Sequence, residues 1–391
     1  MPISTKISES MQKSSWIRKM FEEGAMLKAK YGVENVFDFS LGNPDIDPPQ
    51  KFFSILKDIS SKKIKGIHGY MPNPGFPDVR ESIAKRVKAD HGIDIKGEQI
   101  IMTCGAAGGL NVALKTILNS GERVIVPKPY FAEYGFYIDN HGGEIIPVDT
   151  KSDFSLDIGI IENAIDDNVR AILINSPNNP SGRVYTEEDI IALSGLLAKN
   201  AEKGRIIYLI SDEPYREIVY DGVTVPSILK HCKNSIVATS FSKTFSIPGE
   251  RIGYLAINPE CKDVDMLLAG FILCNRILGF VNAPAVIQRV VAELNDVTVD
   301  AEIYKRRRDI LMDGLSSAGY DFIKPDGSFY LFCKSPIDDD VEFVRHLQKY
   351  NVLVVPGSGF GTPGYFRISY CISEDVIKRA IPKFKEAIES L

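Results

Sequence analysis

The chain reads as an α/β protein with a mostly parallel sheet of about seven strands and a second, smaller α+β domain. Three observations predict this. Between residues 100 and 257, short apolar, β-branched runs alternate with helical stretches, the pattern of strands joined by crossover helices. From about 286 onward the texture changes to charged helix, then short strands and a final helix. A length of 391 residues suits about two domains.

Residues 8–30 place Ile17, Met20, Phe21 and Leu27 at helical spacing on a charged background, which predicts a long amphipathic N-terminal helix. A Pro-rich segment, LGNPDIDPP at 41–49, follows it. Strands are expected at IIM (100–102), RVIV (123–126), EIIPV (144–148), RAILI (170–174), RIIYLI (205–210), SIVAT (235–239) and RIGYLAI (251–257). The turn between the last two cannot contain the crossover of a dozen or more residues that parallel strands need, so this pair is antiparallel. Beyond 286, one long charged helix is expected from VIQRVVAEL through AEIYKRRRDILMDGL. Strands at SFYLF (328–332), VLVV (352–355) and YFRISY (365–370) and a last helix complete the chain.

With 44% hydrophobic and 25% charged residues the composition is that of an ordinary globular protein. A net charge of -5 and a pI near 5.7 count against a nucleic-acid or anionic-membrane surface. No apolar run reaches the roughly 18 residues of a membrane span, and MPISTKISESMQKSS lacks the apolar centre of a signal peptide, so a cytoplasmic location is expected. The six cysteines (Cys104, Cys232, Cys261, Cys274, Cys333, Cys371) form no CxxC pair and are read as reduced. The five histidines show no HExxH pattern and no clustering, and no metal site is expected.

Ligands of open α/β sheets bind beyond the carboxyl ends of the strands, and here those ends are chemically loaded. IIMT is followed by CGAAGGL and a helical run, so free N–H groups at Gly105, Ala106 and Ala107 offer a phosphate site, with a plain Gly-rich turn as the alternative. The segment is neither GxGxxG nor GxxxxGK[ST]. PKPYFAEY offers Tyr130, Phe131 and Tyr134 as a flat platform or as core. NSPNNPSG puts Asn179 in a turn, and SDEPYRE puts Asp212 just past an apolar strand with Tyr215 three residues on. Such an acid is solvated or capping unless a cation waits for it. Lys243 and Arg251 belong to SFSKTFSIPGER, a short Ser/Gly/Pro turn at the same end of the sheet. A lysine for a Schiff base, an acid for a ring nitrogen, phenol and amide donors for a ring oxygen, a flat aromatic and a phosphate cup together are what pyridoxal 5′-phosphate needs.

At these residues the sequence resembles the class I/II, fold-type I, pyridoxal-phosphate-dependent aminotransferases, nearly end to end. SFSKTFSIPGERIGY is similar to the family's S-x-S-K…G-x-R-x-G signature, which implies that Lys243 is the Schiff-base lysine and that Ser240 and Arg251 bind the phosphate. NNPSG resembles N-P-[TS]-G, making Asn179 the partner of the ring's phenolic oxygen, shared with Tyr215 of the D-E-P-Y segment, in which Asp212 matches the pyridinium partner. Phe131 aligns with the aromatic that stacks on the ring, with Tyr130 as rival. GYMPNPGFPDVR implies that Tyr70 reaches the phosphate of a neighbouring subunit, and hence a homodimer with composite sites. In PGSGFG…FRIS, Arg367 matches the arginine that clamps the substrate α-carboxylate, and Gly42 of LGNP the glycine lining the substrate side.

The resemblance implies transamination between an L-amino acid and a 2-oxo acid. Asp212 would keep the ring nitrogen protonated, Lys243 would anchor the cofactor and then shuttle the Cα proton, and Arg367 would hold the carboxylate bidentately. Members specific for aspartate carry an added basic residue. Here the position four before NAP (from Asn282) is Leu278, with Arg276 close by, and the cup segment has only Ala and Gly where another subgroup has lysine. A C–S β-lyase on the same fold is the alternative chemistry. A transcription regulator with an aminotransferase-like domain would need an added DNA-binding domain and is not expected, since the chain begins at the family's own N-terminal helix and its net charge is negative. The expected division is an N-terminal helix or arm at 1–47 packing with the small domain, a large cofactor-binding domain at 48–285 and a small C-terminal domain at 286–391.

Overall fold

A strand such as Val169–Asn175 can be apolar at nearly every position only if both faces of its sheet are covered. In the computed structural model, which describes residues 2–12, 16–62 and 64–391, both faces are. The strands in chain order are β1 (Phe37–Asp38), β2 (Ile100–Thr103), β3 (Arg123–Pro127), β4 (Glu144–Val148), β5 (Val169–Asn175), β6 (Tyr208–Asp212), β7 (Ser235–Ser240), β8 (Gly253–Ile257), β9 (Tyr330–Lys334), β10 (Val352–Leu353), β11 (Val355–Pro356) and β12 (Tyr365–Ser369). The large sheet has the order β2-β8-β7-β6-β5-β3-β4. Only β8 runs against the others, pairing antiparallel with β7 and β2, so the short connection after β7 does reverse the chain.

Alternate residues of each central strand enter opposite cores. Ile172 and Ile174 of β5 lie in one cluster with helices Gln50–Ser61, Pro77–His91 and Glu187–Glu202. Ala171 and Leu173 lie in the other, with helices Gly105–Ile117 and Val264–Ile277. A third cluster surrounds the antiparallel sheet β11-β12-β9 and helices Ala301–Ser317, Asp340–Gln348 and Glu374–Glu389. Met20, Phe37 and Phe39 from the N-terminal segment join this third core. β1 pairs parallel with β10.

Several elements differ from expectation. The N-terminal helix is described as two, Thr5–Gln12 and Trp16–Tyr31; residues 13–15 and the side chains of Ile17 and Phe21 lie outside the described residues. The single long helix expected after 286 is also two, Ala285–Ala292 and Ala301–Ser317. The first keeps Ile287, Val290 and Val291 in the core of the large sheet. The second starts afresh where Asp300 accepts from the backbone N–H of Glu302, a helix N-cap. Between them the Val299 N–H donates to Thr244 O at 2.9 Å, tying the crossing to the turn that carries Lys243. The run at 352–355 splits into β10 and β11, which serve different sheets. Among the described residues no helix is long and apolar enough to cross a membrane.

Candidate active site

The carboxyl ends of β2, β3, β5, β6 and β7 meet β9 and β12 of the small sheet around a cavity of about 350 Å³. Its walls include Gly42, Ala106, Ala107, Phe131, Asn179, Asp212, Tyr215, Ser240, Lys243, Arg251 and Arg367. Eleven of the thirteen residues singled out in the sequence therefore converge. The other two are Gly105, which stands behind the lining, and Tyr70, which is 93% exposed and away from the cavity of its own chain.

Lys243 belongs to a one-turn helix, Phe241–Thr244, at the end of β7 rather than to an irregular turn. Phe241 and Phe245 stack at 4.9 Å and anchor the back of this turn in the core. Lys243 is left facing the cavity, its Nζ donating to Gly42 O at 2.6 Å. Burial lowers its amine to about 8, with Arg367 and Arg251 pushing the same way and Cys371 opposing. A free amine is thus within reach near neutral pH.

Asp212 is the last residue of β6 and is buried. Burial raises its carboxyl to about 7; a hydrogen bond from Tyr134 opposes the rise and the neighbouring Glu213 adds to it. Oδ2 accepts from Tyr134 Oη at 2.7 Å, and Oδ1 has no partner. A buried carboxylate oxygen left open in a cavity wall calls for a donor on a ligand.

The helix Gly105–Ile117 begins at the cavity without a side-chain cap, so the amides of Ala106 and Ala107 remain for an anion. Arg251 completes this corner. A Cβ at Gly105, where φ is +70°, would stand 3.0 Å from Arg251 Nη2. Ser240 and Ser242 stand beside it in the lining. On the aromatic question the structure separates the rivals: Phe131 lines the cavity, edge-on to Tyr134 at 5.6 Å, whereas Tyr130 lies outside it.

Opposite, Arg367 of β12 is fully buried between the rings of Tyr330 (4.5 Å) and Phe360 (4.8 Å). Its Nη1 donates to Asn179 Oδ1 at 2.9 Å and its Nη2 to Ser40 O at 2.6 Å, while Nε has no partner. Tyr215 Oη lies 3.0 Å from Tyr330 Oη. Gly42 has no room for a side chain, since a Cβ would fall 1.9 Å from Tyr330 Oη. Arg276 is exposed on the helix Val264–Ile277 and does not line the cavity of its own chain.

Sequence reasoning missed Tyr330, Asn175, Ser242 and Tyr137 as lining residues and Tyr134 as the partner of Asp212. Tyr330 sits in SFYLF, an apolar run that reads as core; only its pairing beside Arg367 reveals a polar tip on the cavity. Asn175, at the end of β5, donates to Asp212 O and accepts from the Asn179 N–H, and it could have been found from its strand-end position.

An open acid oxygen, an uncapped helix start beside an arginine, a flat aromatic and an amine of lowered affinity fit a phosphorylated, protonated heteroaromatic aldehyde of the pyridoxal phosphate kind.

Comparisons with known proteins agree with this chemistry. The family model described as aminotransferase class I and II matches residues 34–384. A probable aspartate aminotransferase of Methanocaldococcus jannaschii is 31% identical over 387 residues, covering 96% of this chain and 98% of the relative. Aromatic-amino-acid aminotransferase 2 of Thermococcus litoralis is 30% identical over 391 residues, 97% of each. Among solved structures, an amino transferase from Eubacterium rectale matches with a TM-score of 0.96 and 38% identity, over 100% of this chain and 99% of that one. The aspartate aminotransferase of Thermus thermophilus with maleate matches with a TM-score of 0.87 and 27% identity, over 96% and 97%.

Proposed function

The chain belongs to the class I and II aminotransferase family, whose members depend on pyridoxal 5′-phosphate, and from that premise we propose how its residues divide the transfer of an amino group from an L-amino acid to a 2-oxo acid. The observation that carries the reading is Asp212 Oδ1, a buried and unpartnered acid oxygen in the cavity that Lys243 also lines. When bound, the cofactor supplies an electron sink for the electrons released when a substrate Cα–H bond breaks.

Asp212 would hold the ring nitrogen of the cofactor and keep it protonated, with Tyr134 fixing the carboxylate by donating to Oδ2. Asn179 and Tyr215 would hold the phenolic oxygen, and Phe131 would supply the flat aromatic wall for the ring. Gly105, Ala106 and Ala107 with Ser240 and Arg251 would hold the phosphate. Lys243 would be the covalent attachment point and, once released, the base that takes and returns the Cα proton; an amine near 8 suits both tasks. Arg367 binds the substrate carboxylate, directing the Cα–H bond toward Lys243, with Gly42 keeping that side open.

Among the described residues the cations that line the cavity are Lys243, Arg251 and Arg367, each already assigned. Tyr70 is the residue that a second copy would contribute, in a homodimer with composite sites, and the protein acts in the cytoplasm without nucleic-acid or membrane partners. We keep the division of the chain into an arm, a large and a small domain, with the last boundary moved to the 295–300 connection, because Val290, Val291 and Leu294 pack with the large sheet. The β-lyase alternative has no support in the comparisons, whose relatives are named aminotransferases.

Borohydride reduction of the cofactor-loaded protein followed by peptide mapping tests the centre of this reading. The label is expected on Lys243 and absent from Lys243→Ala. A label on another lysine overturns the assignment. Single amino acids added to the loaded protein should convert its absorbance to that of the amine form of the cofactor; release of pyruvate and ammonia from cysteine instead would indicate the lyase.

A further inference from the structure

Tyr330 has no role in the division of labour above, yet three of its members touch it. Ser369 pairs with Tyr330 and Arg367 with Phe332, so Arg367 and Tyr330 are diagonal neighbours on one face of the small sheet. The Tyr330 ring therefore lies under the Arg367 guanidinium at 4.5 Å. Its hydroxyl reaches the other way, to Tyr215 Oη at 3.0 Å. It also occupies the space that a Cβ at Gly42 would need, and Gly42 O is the acceptor of Lys243 Nζ. One buried side chain, 3% exposed, thus touches the carboxylate clamp, the phenol that faces the cofactor oxygen and the glycine that receives the lysine.

The direction of the Tyr215–Tyr330 bond depends on which hydroxyl has another acceptor. A buried phenol needs somewhere to donate. Among the described residues the partner of Tyr330 Oη is Tyr215 Oη. Either hydroxyl can donate in this pair; with an acceptor for the Tyr215 proton in the cavity, Tyr330 becomes the donor to Tyr215. A phenol that accepts a hydrogen bond while donating one is the stronger donor, since the two bonds polarise each other.

We propose that Tyr330 is a positioning residue for both halves of the site: its hydroxyl aims the Tyr215 proton at the phenolic oxygen of the cofactor, and its ring carries the Arg367 guanidinium in register with the substrate carboxylate. The two tasks use different atoms and separate under mutation. This rests on the assignment of Tyr215 and Arg367 given above.

The experiment compares Tyr330→Phe and Tyr330→Leu with the wild type, all loaded with pyridoxal phosphate. Tyr330→Phe keeps the ring and loses the hydroxyl. The pH midpoint of its bound-cofactor absorbance should rise by roughly half a unit or more, because weaker donation to the phenolic oxygen leaves the adjacent proton more tightly held. Its KM for amino acids should stay within about threefold. Tyr330→Leu also loses the ring, and its KM should rise roughly tenfold or more for every amino acid tested, the loss of a desolvated cation–π contact. An unmoved midpoint in Tyr330→Phe overturns the hydroxyl half even if the leucine variant fails to fold. Equal KM values in the two variants overturn the ring half. A wild type that shows no bound-cofactor absorbance and no conversion by amino acids would instead overturn the underlying function, a result distinct from both.

Discussion

Removing the charge from Asp212 should stabilise the cofactor-free protein, and only where that charge exists. The carboxyl is buried with one oxygen unpartnered, and burial lifts it from 3.8 to about 7. A group whose affinity for protons is raised by folding contributes stability that is fully present below 3.8 and is lost as the pH rises through about 7. Each factor of ten in proton affinity corresponds to 1.36 kcal/mol, so ionised Asp212 costs the empty protein about 4 kcal/mol above neutrality. With about 2.1 cal/mol/K of unfolding entropy per residue, a chain of 391 residues has roughly 0.8 kcal/mol/K, and 4 kcal/mol becomes about 5 °C in Tm. Asp212→Asn keeps an acceptor for Tyr134 but leaves an amide where Oδ1 stands, a pH-independent loss of roughly 1–3 kcal/mol. The test is therefore the slope: the Tm difference between Asp212→Asn and wild type, both cofactor-free, should grow by about 4 °C in favour of the amide between pH 4.5 and pH 8.5, where most of the change falls. Adding pyridoxal phosphate should reverse the order at the upper end, since the ring nitrogen then gives Asp212 its partner. A difference that stays flat with pH, or that moves toward the wild type in the empty protein, refutes the reasoning.

Arg367→Ala should lower kcat/KM at least about a hundredfold for all amino acids alike, measured in single-substrate half-reactions; a loss confined to one substrate would make Arg367 a side-chain reader instead. Gly42→Ala should destabilise by about 1–3 kcal/mol and depress activity, because its Cβ meets Tyr330 Oη. In a Tyr330→Phe background the same change should be milder, and a double-mutant cycle with no coupling would show that the clash relaxes elsewhere. Lys243→Ala and Tyr70→Asp, each inactive alone, should regain activity when their subunits exchange, since a hybrid dimer gathers both lesions in one site. Confirmed hybrids without activity would remove the cross-subunit role of Tyr70.

The reading of the large sheet from sequence worked because its strands are buried on both faces and so appear as unbroken apolar runs; EIIPV became β4 at the same residues, and SIVAT became β7 with Ser240 added. β1 escaped notice because two residues, Phe37 and Asp38, carry no periodicity, and their pairing with Val352 and Leu353 is set by tertiary contact. The helix boundary after Ala292 escaped because apolar spacing continues across it; what breaks the helix is the passage of the chain from one core to the other, which no local signal records. The site was legible wherever a polar residue follows a strand, as with Asp212, Asn179 and Lys243. It was illegible where one residue serves two ends, as with Tyr134 and Tyr330, each of which looks like core until its hydroxyl is seen to point at a partner.

The crossing at Val299, bonded to Thr244 in the lysine turn, has an evolutionary corollary. Lys243, the proposed proton shuttle, hangs from the large sheet and Arg367, the proposed carboxylate clamp, from the small one, so the two sit on separately packed cores joined at a seam. Substitutions along that seam can adjust the spacing between shuttle and clamp while leaving both intact. Because Val299 is buried and bonded to the lysine turn, insertions near 295–300 should be far less neutral than insertions at the exposed Gly204 turn.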